Sequence, residues 1–313
     1  MENDQHVVVM SLSPFMRRGF RNDEEGGRAY QRTCVRSWQD AGALVISVNT
    51  PAEISSLEPS YPGVLFVEST ATKSTSNPKG LPNISELISA GQAKTKNEVF
   101  AITNSDVLYE GDSGILSDLF SNAREGVIFS HRFERSPIGT APGLPYLYGF
   151  DVIIANKRFL LPSELEGFFI GSPWWDYLFL YLLAARNVPI INCISPLMSH
   201  MTHDQAWNNE AWLQGLFAVS RRLREMAVDE GPVAALLGYI CHSLDAGRMP
   251  AFAVGDMMTS FGITLGTAMV SYINQSCSHV VRLDAIERRP RSRKLTGNLV
   301  KTKYIHAMNF LDM

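Results

Sequence analysis

The chain has 313 residues, of which 45% are hydrophobic and 19% are charged, so it can bury a large core and has an ordinary globular composition. Its 28 Lys and Arg residues against 31 Asp and Glu residues give a formal net charge of -3. These values exclude a small module and a wholly disordered chain, and they give no global electrostatic reason to expect a nucleic-acid partner.

The cysteines and the apolar runs restrict the class of protein further. The four cysteines are scattered, without the C-x-x-C spacing that is typical of a zinc site or a dense disulfide framework. The N-terminus has acidic residues before a short apolar run, which is not the pattern of a signal peptide. The nearest approach to a membrane span, residues 250–273, contains Asp256 and is predicted to be a buried helix, with a membrane-associated helix as the alternative. We therefore expect a cytoplasmic protein.

Strand and helix patterns alternate in the first part of the chain. Apolar runs at residues 6–12, 43–48 and 63–67 predict three strands, with a helix that ends near Gly42 between the first two. Strand, helix and strand at this spacing imply right-handed parallel crossovers. The sequence predicts an α/β fold with a doubly wound, mostly parallel sheet.

One stretch carries the main functional hypothesis. The segment EVFAITNSDVLYE, Glu98 to Glu110, predicts a buried strand that stops at Asn104, Ser105 and Asp106. Ligands bind at the carboxyl edge of open α/β sheets, and a carboxylate there suits a divalent cation that bridges a diphosphate. The alternative is a strand-ending turn in which Asn104 and Asp106 only hydrogen-bond the backbone.

Further along the chain, other polar residues stand at the ends of predicted elements. Residues 70–79 predict a mobile surface loop, and LPNISELISAG after them predicts a helix capped by Asn83 or Ser85. Asp151 comes directly before a predicted strand, and Asp176 lies in the first turn of a strongly apolar helix within residues 168–183.

The pattern changes after Asp204. Helices are predicted at residues 205–228, 232–244 and 251–273, with no further strand. We expect an α/β domain at residues 1–204 and a helical C-terminal region at residues 205–313, which could shape an acceptor site or an interface between copies in a homo-oligomer. The basic run RRPRSRK at residues 288–294 could contact anionic lipid or nucleic acid, although a flexible solvated tail is the favoured interpretation.

Five segments of the chain, taken in order, resemble a known family. They are KGLPNISELI (79–88), FAITNSDVLY (100–109), YGFDVIIANKRFL (148–160), IGSPWWDYLFLYLLAARNVPI (170–190) and SHMTHD (199–204). Together they are similar to GT-A glycosyltransferases, in particular to bacterial glycosyltransferase-like proteins with NSD in place of the DxD motif. No P-loop, Gly-x-Gly-x-x-Gly or Ser-His-Asp elbow competes with this interpretation.

The resemblance implies a GT-A fold, a nucleotide-sugar donor, a glycan or other hydroxyl acceptor, and Mn²⁺ or Mg²⁺ as cofactor. It places Asn104, Ser105 and Asp106 at the DxD position, where Asp106 holds the metal against the diphosphate and Asn104 replaces the first Asp. It also places His200 or His203 where a late histidine completes the metal site.

The resemblance assigns further residues to the substrates. Asp176 stands where inverting members carry the general base, which takes the proton of the acceptor hydroxyl, and Trp175 replaces the Glu before it. The flat faces of Trp174 and Trp175 could pack against sugar rings. Asp151 is expected to contact the substrate. The donor-binding residues are expected to include Asn49 and Lys79.

Each assignment has a structural alternative. An Asp in the first turn of a helix is commonly a cap, and two Trp residues beside an apolar helix are commonly core residues. The predicted activity is transfer of a sugar from a nucleotide sugar to a hydroxyl. The competing functions are a non-catalytic nucleotide- or glycan-binding protein on the same fold, and a scaffold that assembles through its C-terminal helices.

Overall fold

The computed structural model describes residues 5–16, 24–74, 77, 79–135, 143–146, 149–201, 209–226 and 251–281. The helices are α1 (Glu24–Asp40), α2 (Pro51–Leu57), α3 (Ile84–Lys94), α4 (Ser113–Asn122), α5 (Trp175–Ala185), α6 (Asn209–Glu225) and α7 (Ala251–Ser276). The strands are β1 (His6–Met10), β2 (Ala43–Asn49), β3 (Leu65–Glu68), β4 (Val99–Thr103), β5 (Val107–Tyr109), β6 (Val127–Ser130), β7 (Arg132–Arg135), β8 (Pro145–Tyr146), β9 (Val152–Asn156), β10 (Ile190–Cys193), β11 (Met198–Met201) and β12 (Cys277–Val281).

Eight of the strands form a central sheet in the order β12-β10-β6-β9-β4-β1-β2-β3. Strand β9 runs antiparallel to both of its neighbours, β4 and β6, and the other neighbouring strands are parallel. This arrangement confirms the predicted α/β fold with a mostly parallel sheet.

Helices cover both faces of the sheet because its central strands are apolar on both sides. Side chains of successive strand residues point to opposite faces, so Val7 and Val9 join one core and Val8 and Met10 join the other. The first core also contains residues of α3, α5, α6 and α7, and the second contains residues of α1 and α4. The sheet is therefore the middle of three layers.

A small second sheet, in the order β5-β11-β7-β8, follows the carboxyl ends of two central strands. The chain passes from β4 to β5 through residues 104–106, and from β6 to β7 through His131. Strand β11 pairs antiparallel with β5 and parallel with β7, which brings three chain segments together at this edge.

The turn before α3 follows the sequence prediction. Asn83 caps the helix, and its partner in a capping box is Glu86, whose carboxylate accepts from the Asn83 backbone N–H at 2.9 Å. The same carboxylate accepts from the Ser69 hydroxyl and the Thr70 backbone N–H, so it also holds the segment after β3. Of the two candidates for the cap, Asn83 is the one used.

The C-terminal part differs from the prediction in one element. A strand does follow Asp204, because β12 pairs parallel with β10 at the edge of the central sheet. Its five residues come directly after α7 without turn residues, so no sequence signal separates them from the helix. Helices α6 and α7 contribute to the same core as α5. The predicted helix at 232–244 and the basic run lie outside the described residues.

Among the residues that the structure describes, no helix combines the length and the apolar character that crossing a membrane requires.

Candidate active site

The segment singled out by the sequence forms a tight turn between β4 and β5. Three hydrogen bonds from distant parts of the chain hold it. The Asn104 side-chain amide donates to Asp151 Oδ1 at 2.6 Å, and the side chains of Ser105 and Gln31 are hydrogen-bonded at 2.9 Å. The Tyr30 hydroxyl donates to the backbone carbonyl of Asp106 at 2.8 Å. The turn is thus fixed at each of its three residues.

His200 lies between two carboxylates. Its Nε2 is 3.2 Å from Asp106 Oδ2, and its Nδ1 is 3.2 Å from Glu134 Oε2. Burial lowers the pKa of His200, but the charge of Asp106 and the hydrogen bonds to Asp106 and Glu134 outweigh it and raise the pKa to about 9. Burial raises the pKa of Glu134, while His200 and Arg132 lower it to about 2. Both shifts favour the charged forms.

Arg132 joins this group to the turn. Its Nε donates to Glu134 Oε1 at 2.8 Å, and its NH1 donates to Asp151 Oδ2 at 3.0 Å. Its guanidinium lies over the Tyr146 ring, 4.5 Å from the centroid. Burial lowers the pKa of Arg132, and the nearby Asp151 and Glu134 raise it by more.

The result is a group of six residues joined by side-chain contacts, which we call the edge network. Its members, in the order of contact, are Asp106, His200, Glu134, Arg132, Asp151 and Asn104. Sequence reasoning predicted roles for Asn104, Asp106, Asp151 and His200 but gave none to Arg132 or Glu134. Arg132 and Glu134 alternate along β7, so they share one face of a strand directly beyond a buried strand, and that pattern could have identified them.

Asp176 lies in the first turn of α5, as predicted, and is partly exposed. Its Oδ2 accepts from the Phe150 backbone N–H at 2.9 Å, beside the start of the segment that carries Asp151. Desolvation raises the pKa of the Asp176 carboxyl to about 7, and the charge of Asp151 adds to the rise, although backbone hydrogen bonds oppose it. Such a carboxyl exchanges a proton near neutral pH.

The two tryptophans do not face the site. Trp174 and Trp175 are only 4% and 2% exposed and belong to the hydrophobic core. Trp174 packs against Trp212 of α6, with ring centroids 5.2 Å apart, and its Nε1 donates to the Trp212 backbone carbonyl at 3.0 Å. Both residues are thus core residues, which was the alternative to sugar contact. The predicted contact with a sugar would require the rings to leave the core.

Asn49 and Lys79 stand apart from the edge network. Asn49 is 0% exposed and donates to the Leu12 carbonyl at 2.8 Å and to Glu53 at 3.2 Å, so in this arrangement it holds the segment after β1. Lys79 is exposed in the segment before α3, and partial burial lowers its pKa. Their contact with a donor stays a prediction. His203 lies outside the described residues.

Asp106 and His200 offer a carboxylate oxygen and a ring nitrogen, two kinds of atom that divalent cations bind. An ion with bonds of about 2.1 Å at near right angles spaces adjacent ligand atoms about 3 Å apart, which matches the 3.2 Å between Asp106 Oδ2 and His200 Nε2. Metal-binding histidines usually donate their other ring N–H to a carboxylate, which is the position of Glu134.

Two further observations bear on whether the edge network can bind a cation. Buried Asn104 Oδ1 has no hydrogen-bond partner. Across the described residues, no three His, Cys, Asp or Glu side chains are grouped so as to hold a metal by themselves. Two protein ligands suffice for Mg²⁺ or Mn²⁺ when substrate phosphates and water complete the coordination. The residues therefore fit an ion whose other coordination positions are filled by water or by substrate phosphates.

Comparison with known proteins gives limited similarity. No family model matches the chain, and no curated protein matches it. A nucleotide-diphospho-sugar transferase from Desulfovibrio desulfuricans G20 is 10% identical, with a TM-score of 0.44 over 75% of this chain and 94% of that one. A mannosyltransferase from Pyrobaculum calidifontis, in complex with GDP-Man and Mn²⁺, is 11% identical, with a TM-score of 0.42 over 87% and 85%.

A third solved structure, an inositol-1-phosphate CTP transferase from T. maritima, is 11% identical, with a TM-score of 0.36 over 71% of this chain and 98% of that one. At these identities and TM-scores, the similarities assign no activity, substrate or cofactor to this chain.

Proposed function

We propose that this protein is a metal-dependent glycosyltransferase that moves a sugar from a nucleotide-sugar donor to an acceptor hydroxyl. The edge network carries the proposal, because it brings Asp106 and His200 together at the carboxyl edge of the sheet and orients His200 through Glu134. The five sequence segments that resemble GT-A glycosyltransferases point to the same activity.

The charges of the edge network suit a cation and a diphosphate together. Three carboxylates against Arg132 and a protonated His200 leave one net negative charge. Asp106 and His200 would hold Mn²⁺ or Mg²⁺, which supplies positive charge to the donor diphosphate. Because His200 then gives up its proton, the group becomes neutral before the phosphates enter.

Asp176 is the proposed general base. Its carboxylate takes the proton of the acceptor hydroxyl as the oxygen attacks the anomeric carbon of the donor sugar. A carbon–oxygen bond forms to the acceptor, the bond from the same carbon to the diphosphate oxygen breaks, and its electron pair leaves with the nucleoside diphosphate. A pKa of about 7 keeps a large share of Asp176 ionised at neutral pH while leaving it basic enough to accept the proton.

Replacement of Asp106 tests the metal role. Asp106→Asn keeps the side-chain shape but removes the charge, so we expect Mn²⁺-dependent turnover to fall about 100-fold or more. The measurement is nucleoside diphosphate release from a panel of nucleotide sugars, with and without Mn²⁺. Asp40→Asn, at the exposed end of α1, is the matched control and should keep full activity. Full activity of Asp106→Asn would refute the metal assignment.

The alternative is a non-catalytic nucleotide- or glycan-binding protein on the same fold. It is favoured by Asn104, whose amide is held by Asp151 at the position where the resemblance leads us to expect a carboxylate. Calorimetry with nucleoside diphosphates and Mn²⁺ separates the two functions. Binding without donor turnover supports the alternative, and absence of binding supports a scaffold.

A further inference from the structure

The two strands that carry the candidate metal ligands separate at the site. Strands β5 and β11 pair antiparallel at Tyr109 with Met198, Leu108 with Ser199 and Val107 with His200. The ladder ends there. In the same register, the next two residues to face each other are Asp106 and Met201, which follow the last pair on either side.

A tyrosine hydroxyl occupies the gap between these two residues. Tyr30 of α1 donates from its hydroxyl to the Asp106 backbone carbonyl at 2.8 Å and accepts from the Met201 backbone N–H at 2.9 Å. The hydroxyl thus connects the Asp106 carbonyl and the Met201 N–H, which would bond each other directly if the strand pairing continued by one residue. Tyr30 is buried, and this burial raises its pKa, so the hydroxyl keeps the proton that it donates.

We propose that Tyr30 is a positioning residue of the metal site, which sets the separation of β5 and β11 and, through it, of Asp106 Oδ2 and His200 Nε2. The inference rests on the proposed metal role of these two residues. Tyr30 holds the backbone of Asp106 on one side and the backbone of Met201, the residue after His200, on the other.

The hydroxyl is difficult to replace at this position. A phenylalanine ring would fill the same space but would remove the hydrogen bonds that the hydroxyl makes with the Asp106 carbonyl and the Met201 N–H. The strands would then close together or admit water, and either change alters the 3.2 Å spacing of the two ligand atoms. Loss of an orienting partner of a metal ligand typically costs 10- to 100-fold in metal affinity.

The test is Mn²⁺ binding to the full chain, measured by calorimetry with Mn²⁺ alone, for the unmodified protein, Tyr30→Phe and Tyr109→Phe. Tyr109 is the matched control, because it is buried in β5 and its hydroxyl donates to the Asp112 backbone carbonyl at 3.1 Å, outside the edge network. Thermal unfolding of all three proteins reports the general effect of losing a buried hydroxyl. Hydrogen exchange at the Met201 amide reports the local effect.

We expect Tyr30→Phe to bind Mn²⁺ about tenfold or more weakly, with faster exchange at Met201, and Tyr109→Phe to bind within about twofold of the unmodified protein. Unchanged affinity in Tyr30→Phe, or an equal loss in Tyr109→Phe, would overturn the inference while leaving the proposed function intact. Absence of Mn²⁺ binding by the unmodified protein would overturn the metal assignment, and the positioning role with it.

Discussion

At the scale of single residues, the contact between Asn104 and Asp151 explains why an amide suits position 104 better than a carboxylate. The Asn104 amide donates to Asp151 Oδ1 at 2.6 Å, and Asp151 Oδ2 accepts from Arg132. An aspartate at position 104 would place two carboxylates at that distance, and one would have to hold a proton. The amide is therefore the compatible partner for a charged Asp151.

An exchange of the two residues tests this account. Asn104→Asp alone should lower the free energy of unfolding by about 1 to 3 kcal/mol, because it puts an acceptor opposite an acceptor. The double variant Asn104→Asp with Asp151→Asn restores one donor and one acceptor and still offers an oxygen to Arg132, so we expect it to recover most of the loss. Urea unfolding of the four proteins measures the coupling. Additive effects of the two changes would contradict the account.

The raised pKa of Asp176 predicts the pH dependence of activity. The carboxylate is the active form of a base, so kcat/KM should rise with pH and level off above a pKa near 7. Asp176→Asn should lower turnover about 100-fold or more, remove this rising limb and leave donor affinity nearly unchanged. Initial rates between pH 5 and 9 and donor binding by calorimetry provide the check. Equal losses of turnover and donor binding would indicate a structural Asp176.

At the scale of secondary-structure elements, the start of α5 depends on the C-terminal helices. Trp174 precedes α5 with a φ of 80°, a left-handed conformation that costs a residue with a side chain about 1 to 2 kcal/mol. The core contacts of its ring and the hydrogen bond to the Trp212 carbonyl stabilise this conformation. Asp176, the proposed base, lies two residues after Trp174. The packing of α6 against Trp174 therefore helps to fix the position of Asp176.

Two glycines of α7 test that packing as a matched pair. A Cβ added at Gly262 would lie 1.9 Å from the Trp212 ring, whereas a Cβ at Gly266 would meet the Trp174 ring at an ordinary 3.6 Å. We expect Gly262→Ala to destabilise the protein by about 1 to 3 kcal/mol. Gly266→Ala should be neutral or stabilising by up to about 1 kcal/mol, because alanine favours a helix. Thermal unfolding measures both variants. Equal changes in melting temperature would refute the close packing of Gly262 against Trp212.

At the scale of the whole molecule, residues on both sides of Asp204 share one core. Leu216, Leu223 and Ile273 of the C-terminal helices lie in the same cluster as α5, and β12 extends the central sheet. The boundary predicted at Asp204 therefore separates two regions of sequence that meet in one hydrophobic cluster.

This shared core predicts cooperative unfolding. The full chain should show a single thermal transition, and a fragment of residues 1–204 should not fold stably, because the buried face of α5 would be exposed to water. Circular dichroism and size-exclusion chromatography of the fragment and the full chain make the comparison. A monomeric fragment with a cooperative transition of its own would show that the first region is independent.

The sequence predicted the fold class because strand and helix patterns are local, and the same is true of the helix cap at Asn83 and of the helix turn that contains Asp176. Asp106 and Asp151 were singled out because they stand at the ends of apolar runs, and His200 was singled out by the family resemblance; the structure brings the three into one network, and their roles stay predictions. The sequence could not decide whether Trp174 and Trp175 are core residues, and the packing partner of Trp174 lies in α6, far along the chain. Nor could it predict β12, whose pairing partner is β10.

The reversed direction of β9 has a consequence for how the site is assembled. The central sheet has two halves, β1 to β4 on one side and β6, β10 and β12 on the other, and β9 joins them by pairing with β4 and β6. Because β9 runs the other way, the residue that precedes it, Asp151, arrives at the edge where β4 and β6 end, between Asn104 and Arg132. A chain with only one half of the sheet formed has no complete edge network, so the proposed binding of metal and donor requires both halves to be in place.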